Sequence, residues 1–147
     1  MNNTKNYFEL RAPRDMLEKA KREHERLTEN FNIDNVFNYF VTAYHIQDYF
    51  DEKSVIKDEV KIFLKDQDLE DCKDLCNKGK HLALSRGRPD PRTQIMRGFI
   101  NGAPLNTMSI NAGKKWIMHL DNRIVDIELL ANRVLVKWDD FFLKHNL

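Results

Sequence analysis

A chain of 147 residues with 41% hydrophobic and 32% charged residues is one domain's worth of sequence, long enough to bury one substantial core. Nine Phe, four Tyr and two Trp supply the bulk for that core, which excludes a disordered chain. The formal net charge of +1 predicts no strong overall pull toward nucleic acid or a membrane surface.

The opening Met1-Asn-Asn-Thr-Lys-Asn6 lacks the apolar run of a signal peptide, and no apolar segment reaches the length of a membrane span. A soluble, cytoplasmic protein without membrane partners is the expectation. Cys72 and Cys76 are the only cysteines. Four apart on a predicted helix, they are poorly placed for a disulfide and too few for a structural zinc site. They read as two reduced core thiols, and neither a metal nor a cofactor is expected.

In chain order, Tyr7–Leu10 reads as a short strand or as a segment packing ahead of the first helix. Pro13 suits the first helical position, where its missing N–H costs nothing. Leu17, Ala20, His24, Leu27 and Phe31 then recur at helical spacing and form an apolar stripe. Glu18/Arg22, Lys19/Glu23 and Lys21/Glu25 fall on the wet side as opposite-charge pairs. His24 is expected at the rim of the core.

Asn32 or Asp34 can cap a second helix running to about residue 50. Ile33, Val36, Phe37, Phe40, Ala43 and Tyr44 share one broad face there, widened by Val41 and Ile46. The opposite strip of Asn38, Thr42, His45 and Tyr49 either lines a polar groove or forms a partly exposed edge. Ser54 can cap a third helix with Ile56, Val60, Phe63 and Leu64 turned inward. Asp68 is the expected cap of a fourth, whose inner stripe is Leu69, Cys72, Cys76 and Ala83. Gly79 on that stripe either admits a neighbouring helix or ends this one, and continuation through His81 is the preferred reading.

Residues 85–125 change character. Ser85-Arg-Gly-Arg-Pro-Asp-Pro-Arg92 is a loop by composition. Beyond it, 93–100, 107–110, 115–120 and 123–125 have strand character and are separated by turn residues. This segment carries Arg86, Arg88, Arg92, Arg97, Lys114, Lys115 and Arg123 against Asp90 and Asp121 only, a net +5 that leaves −4 on the rest of the chain. Such asymmetry points to an anionic partner such as RNA. Finally, Asp126 can cap a long helix with Ile127, Leu130, Ala131, Val134, Trp138, Phe141 and Phe142 on one face.

The sum is a predominantly helical α+β domain spanning 1–147. Helices are expected at about 13–30, 33–50, 54–65, 68–83 and 126–145, with a small antiparallel β insert at about 93–125 between the last two. The densest polar set is Asp71-Cys-Lys-Asp-Leu-Cys-Asn-Lys-Gly-Lys-His81. Asn77 and His81, four apart, share one side of the helix. Asp74 lies a turn earlier, and Lys73 and Lys80 flank them. A carboxylate, an amide, an ammonium and an imidazole so arrayed can bind phosphate or serve acid–base chemistry, although many solvated helix faces look the same. No phosphate-binding glycine loop, dinucleotide fingerprint or serine nucleophile elbow occurs.

Helices followed by Asn77-Lys-Gly-Lys-His81 near a helix end resemble the HEPN superfamily. The resemblance implies a bundle of four to five helices, homodimers and, in active members, metal-independent RNA cleavage in phage-defence or toxin–antitoxin settings. Those members carry an Arg four to six residues' gap before the key His. Here Cys76, Leu75 and Asp74 occupy those positions, and Lys114 before His119 is the nearest substitute.

The leading expectation is therefore a binding or interaction module, possible as a homo-oligomer, that contacts RNA or another anionic partner. His81, Asn77 and Lys80 form one candidate centre, and His45, Arg86, Arg88, Arg92 and Arg97 are candidate binding residues. The alternatives are a ribonuclease-like enzyme with His81 as general acid/base, and a structural or antitoxin-like protein partner without a small-molecule site.

Overall fold

A computed structural model describes residues 6–82, 91–97 and 114–147 of the chain. Five α-helices surround one core, and a three-stranded antiparallel sheet enters between the fourth and the fifth. Residues 85–90 of the predicted loop, Ala83 of the fourth helix's stripe, residues 98–100 of the first predicted strand and the strand at 107–110 lie outside the described residues, and Arg92, expected in the loop, opens a strand.

Helix α1 spans Pro13–Glu29 with Pro at its start. The Asp15 carboxylate accepts from the backbone N–H of Arg11 and Ala12 at 2.9 and 2.8 Å, tying the entry turn. These bonds hold its carboxyl below the usual range. Met16, Leu17, Ala20 and Leu27 are buried, but so is Glu23. The Lys19–Glu23 pair therefore forms at 2.7 Å over a buried carboxylate, where the sequence pattern placed it in solvent. Arg26 reaches the same oxygen at 2.9 Å, so two cations offset the burial. Glu18 pairs with Arg14 and Lys21 instead of Arg22.

Helix α2, Ile33–His45, is capped by Asn32, whose side chain accepts from Asn35 N at 2.9 Å. The Asn35 amide donates to the Arg26 and Asn30 carbonyls and so satisfies the end of α1. The α-helix stops short of the predicted residue 50 and tightens into a 3₁₀ turn at Ile46–Tyr49. Its buried face is Val36, Tyr39, Phe40, Thr42 and Ala43. Tyr39 turns inward because its hydroxyl finds the Ala131 carbonyl at 2.6 Å, while Ile33 and Phe37, expected inside, remain exposed. His24 packs at the core rim as expected, edge-on to Tyr39 and 2.6 Å from Asn132 Oδ1.

Helix α3, Val55–Phe63, takes Ser54 as its cap. Helix α4, Gln67–His81, is capped by Asp66 and not by Asp68. Asp68 instead meets Arg133 at 3.2 Å and Lys137 at 2.7 Å on the last helix, a tertiary demand that outweighs the local capping preference. Leu82 closes α4 in the left-handed region, φ 62°. Gly79 thus lies inside the helix, as the favoured reading had it.

Strands β1 (Arg92–Arg97), β2 (Lys114–Leu120) and β3 (Arg123–Asp126) pair in the order β1-β2-β3. Ile95 faces Trp116 across β1 and β2. The two-residue turn Asp121-Asn122 sets Leu120 opposite Arg123. Strand β3 runs without a loop into α5 (Ile127–Lys144), because Asp126 both ends the strand and caps the helix, accepting from Leu129 N at 3.1 Å. The α5 residues expected inside are all buried. Trp138, fully buried, meets the Phe63, Phe141 and Phe142 rings at centroid distances of 4.7, 5.9 and 6.2 Å, mostly edge-to-face as aromatic quadrupoles prefer.

A Cβ added at Gly79 would stand 3.1 Å from Cδ2 of Phe37. Alanine is favoured over glycine inside a helix by about 1 kcal/mol, so the ring decides the outcome. Gly79→Ala alone should shift stability to urea by less than about 0.5 kcal/mol, and the same change in a Phe37→Ala background should add about 1 kcal/mol. Equal gains in both backgrounds would show that Phe37 does not press on Gly79.

Candidate binding groove and its polar end

Four of the exposed apolar residues gather in one place. Ile33 (63% exposed), Phe37 (41%), Leu82 (79%) and Ile95 (42%) all line one groove. Its walls are Phe37, Phe40 and Val41 of α2 and Leu75, Cys76 and Gly79 of α4. Trp116 and Ile117 of β2 and Ile127 of α5 complete it. Its volume is about 540 Å³, and among the described residues Lys78 is the one charged residue lining it. Trp116 is held upright by an edge contact with Phe31, 5.4 Å between centroids. The absent side chain at Gly79 lets the Phe37 ring lie against α4.

Beyond the groove on α2 stands His45, expected on a polar strip apart from the apolar face. Asp48 lies three residues on, in the 3₁₀ turn. Its Oδ2 lies 2.6 Å from His45 Nδ1. The other ring nitrogen, Nε2, lies 3.3 Å from Lys80 Nζ of α4. Nδ1 must carry the hydrogen that the carboxylate accepts, which leaves the Nε2 lone pair for the ammonium. Cys76 sits beside this line. Burial pushes its thiol up to about 11, with Lys80 pulling it down and Asp48 pushing it further up. Burial raises the Cys72 thiol still more, and both cysteines are free. They are core thiols without thiolate chemistry.

The other sequence candidates separate. Lys80 joins His45, but His81 is exposed and Asn77 half-buried. Asp74, expected a turn before them, is buried. Arg92 is exposed on β1. Arg97 closes that strand and is described by its backbone alone, and Arg86 and Arg88 lie outside the described residues. Among the described residues no cluster of His, Cys, Asp and Glu suited to a metal occurs, and no helix is long and apolar enough to cross a membrane.

A second concavity, about 850 Å³, gathers Arg92, His119, Arg123 and Arg133, but Asp68, Asp121 and Asp126 share it. Two of its arginines are committed. Arg123 makes a bidentate pair with Asp71 at 2.8 and 2.9 Å, and Arg133 is bound to Asp68. Asp71 is almost wholly buried, its side chain 2% exposed. Its hydrogen bonds hold the Arg123 guanidinium above its ordinary range. Helical spacing could not reveal this pair, because its members are 52 residues apart. Nor did it reveal the groove, whose β1 and β2 wall belongs to another part of the chain.

Compared with protein-family models, curated proteins and solved structures, the chain matches none.

Removing one partner of a buried ion pair strands the other, at about 3 kcal/mol or more. Arg123→Met should therefore destabilise by about that amount. Asp71→Asn combined with Arg123→Met should cost clearly less than the two single changes summed, as read in a double-mutant cycle by urea unfolding. Strict additivity would show that the two residues do not act as a pair.

Asp68 predicts the acid behaviour. Burial pushes its carboxyl up, but Lys137 and Arg133 outweigh this and hold it below its ordinary value. A depressed carboxyl contributes stability that is fully present above its unfolded value near about 4 and is lost as pH falls through the folded value. Urea midpoints should thus fall on acidification below about pH 4, with a shallower fall for Asp68→Asn. An identical acid slope in that variant would remove Asp68 from the account.

Proposed function

We propose that this protein is a binding module whose groove between α2, α4 and the sheet receives the apolar body of a small ligand. The observation that carries the reading is the convergence of exposed Ile33, Phe37, Leu82 and Ile95 on one concavity of about 540 Å³. Ligand sites are typically concave, largely apolar and about 300–1,000 Å³ in volume. Contiguous exposed apolar surface rimmed by polar groups marks a contact site more often than chance.

A neutral apolar dye, N-phenyl-1-naphthylamine, reports the groove directly. It should bind saturably and perturb the fluorescence of Trp116, which lines the groove, while Trp138 stays sealed in the core. Phe37→Glu and Ile95→Glu alter partly exposed positions and should each weaken dye binding at least about tenfold, with far-UV circular dichroism unchanged. Binding that persists in both variants places the dye elsewhere and removes the reading.

A second reading, contact with RNA or another polyanion, draws its support from the net +5 of residues 85–125 and from Arg92 and His119 along the second concavity. On that reading RNA affinity falls steeply with salt, and Arg92→Ala lowers the slope of log K against log salt by about 0.7–0.9. Salt-independent or absent binding at low ionic strength eliminates it. On either reading the protein binds without cleaving. Mixed RNA incubated with the wild type and with His81→Ala should come through equally intact, and His81-dependent cleavage would restore the enzyme.

A further inference from the structure

We infer that the groove's ligand is a single-chain amphipath with an anionic head, a fatty-acid-like carboxylate, whose head is met by Lys80 at the His45 end. The inference rests on the groove being the binding site and adds the chemistry of its occupant.

Placement is the first argument. On α2, Phe37, Val41 and His45 follow at four-residue steps and therefore share one face. The first two line the groove. On α4, Cys76 and Lys80 are likewise four apart, and Cys76 is a groove wall that feels the charges of both Lys80 and Asp48. His45 and Lys80 do not line the groove themselves, but each stands one turn beyond a wall residue of its helix, Val41 and Cys76, and there Lys80 Nζ lies 3.3 Å from His45 Nε2. Lys78 adds a second ammonium along the lining.

The second argument is donor capacity. Asp48 fixes the ring by accepting at Nδ1, 2.6 Å away. The imidazole Nε2 therefore presents a lone pair that engages one of the three N–H bonds of Lys80. The remaining N–H bonds can meet a carboxylate without breaking the His45 contact. The Asp48 carboxylate, itself an anion, is turned onto the ring and is 59% exposed, so solvent screens it. Charge sign is the third argument. A cationic head would be repelled by the Lys80 ammonium and a neutral head would gain only an ordinary hydrogen bond, whereas a carboxylate makes a charge-assisted one.

Three probes of equal chain length separate the possibilities: decanoate, 1-decanol and decyltrimethylammonium, titrated against the full chain by Trp116 fluorescence and calorimetry below their aggregation limits. Decanoate should bind about tenfold or more tighter than decanol, and the ammonium weakest. Lys80→Gln should bring the ratio of decanoate to decanol affinity close to one. His45→Gln should lower it partway, and Lys65→Gln, a distant exposed lysine, should leave it as in the wild type.

Equal affinity for decanoate and decanol in the wild type, or a ratio indifferent to Lys80→Gln, overturns the anionic head while leaving the groove standing. If none of the three probes binds, the groove reading falls and the head with it. If the protein proves to be a dimer that Phe37→Glu converts to monomer while decanoate fails to bind, a second copy is the occupant and the proposal is wrong.

Discussion

A carboxylate with 2% of its side chain exposed cannot stand alone inside a protein, and Asp71 makes the position of the sheet depend on that fact. It has to be paired, and both of its oxygens accept from Arg123, the first residue of β3, while Gln67 Nε2 donates to one of them as well. A guanidinium is suited to this because its fork meets both oxygens in one geometry and so fixes orientation as well as distance. Arg123 lies opposite Leu120 in the hairpin, so locating it locates the hairpin against α4. Apolar burial then closes the contact through Ile117, Met118 and Val125.

The other side of the hairpin is fixed by covalent economy. Asp126 leaves no loop between β3 and α5, so the direction of the strand sets the direction of the longest helix. That helix buries Trp138 among Phe63, Phe141 and Phe142. Its outer cations, Arg133 and Lys137, hold Asp66 and Asp68 at the start of α4. Helix α4 is thereby gripped at its N-terminal end by α5 and by β3, while its C-terminal end crosses Phe37 at Gly79. The groove is the space lined by that end, α2 and the first two strands.

Much of the scaffold was legible in the residues. Pro13, Asn32, Ser54 and Asp126 act locally, each through its own backbone preference or one hydrogen bond within three residues, so they could be read without tertiary information. The α5 stripe was legible because a long, unbroken helical period has one interpretation. Tyr39 and Phe37 were not separable in this way. Both are large aromatics on a helix with a broad apolar face, and the inward choice went to Tyr39 because a carbonyl on α5 accepts its hydroxyl. Glu23 looked like a surface charge for a similar reason, since a helical pair reads the same whether or not a neighbour covers it. The candidate site divided along the same line. His45 and Lys80 were both visible, but their meeting was not, nor was the turn that brings Asp48 to the imidazole.

The amino-acid sequence by itself determined which segments are helices, that a small antiparallel sheet enters before the last of them, and that the cysteines belong to the core. Those outcomes depend on periodicity, capping and turn chemistry over a few neighbouring residues. Only the tertiary structure decided that Asp71 answers Arg123, that Asp68 serves α5 and not its own helix end, that an apolar groove opens between α2, α4 and the sheet, and that His45 meets Lys80. Each of these joins groups far apart in the chain, and their cost or gain arises from burial and charge pairing that no local pattern contains.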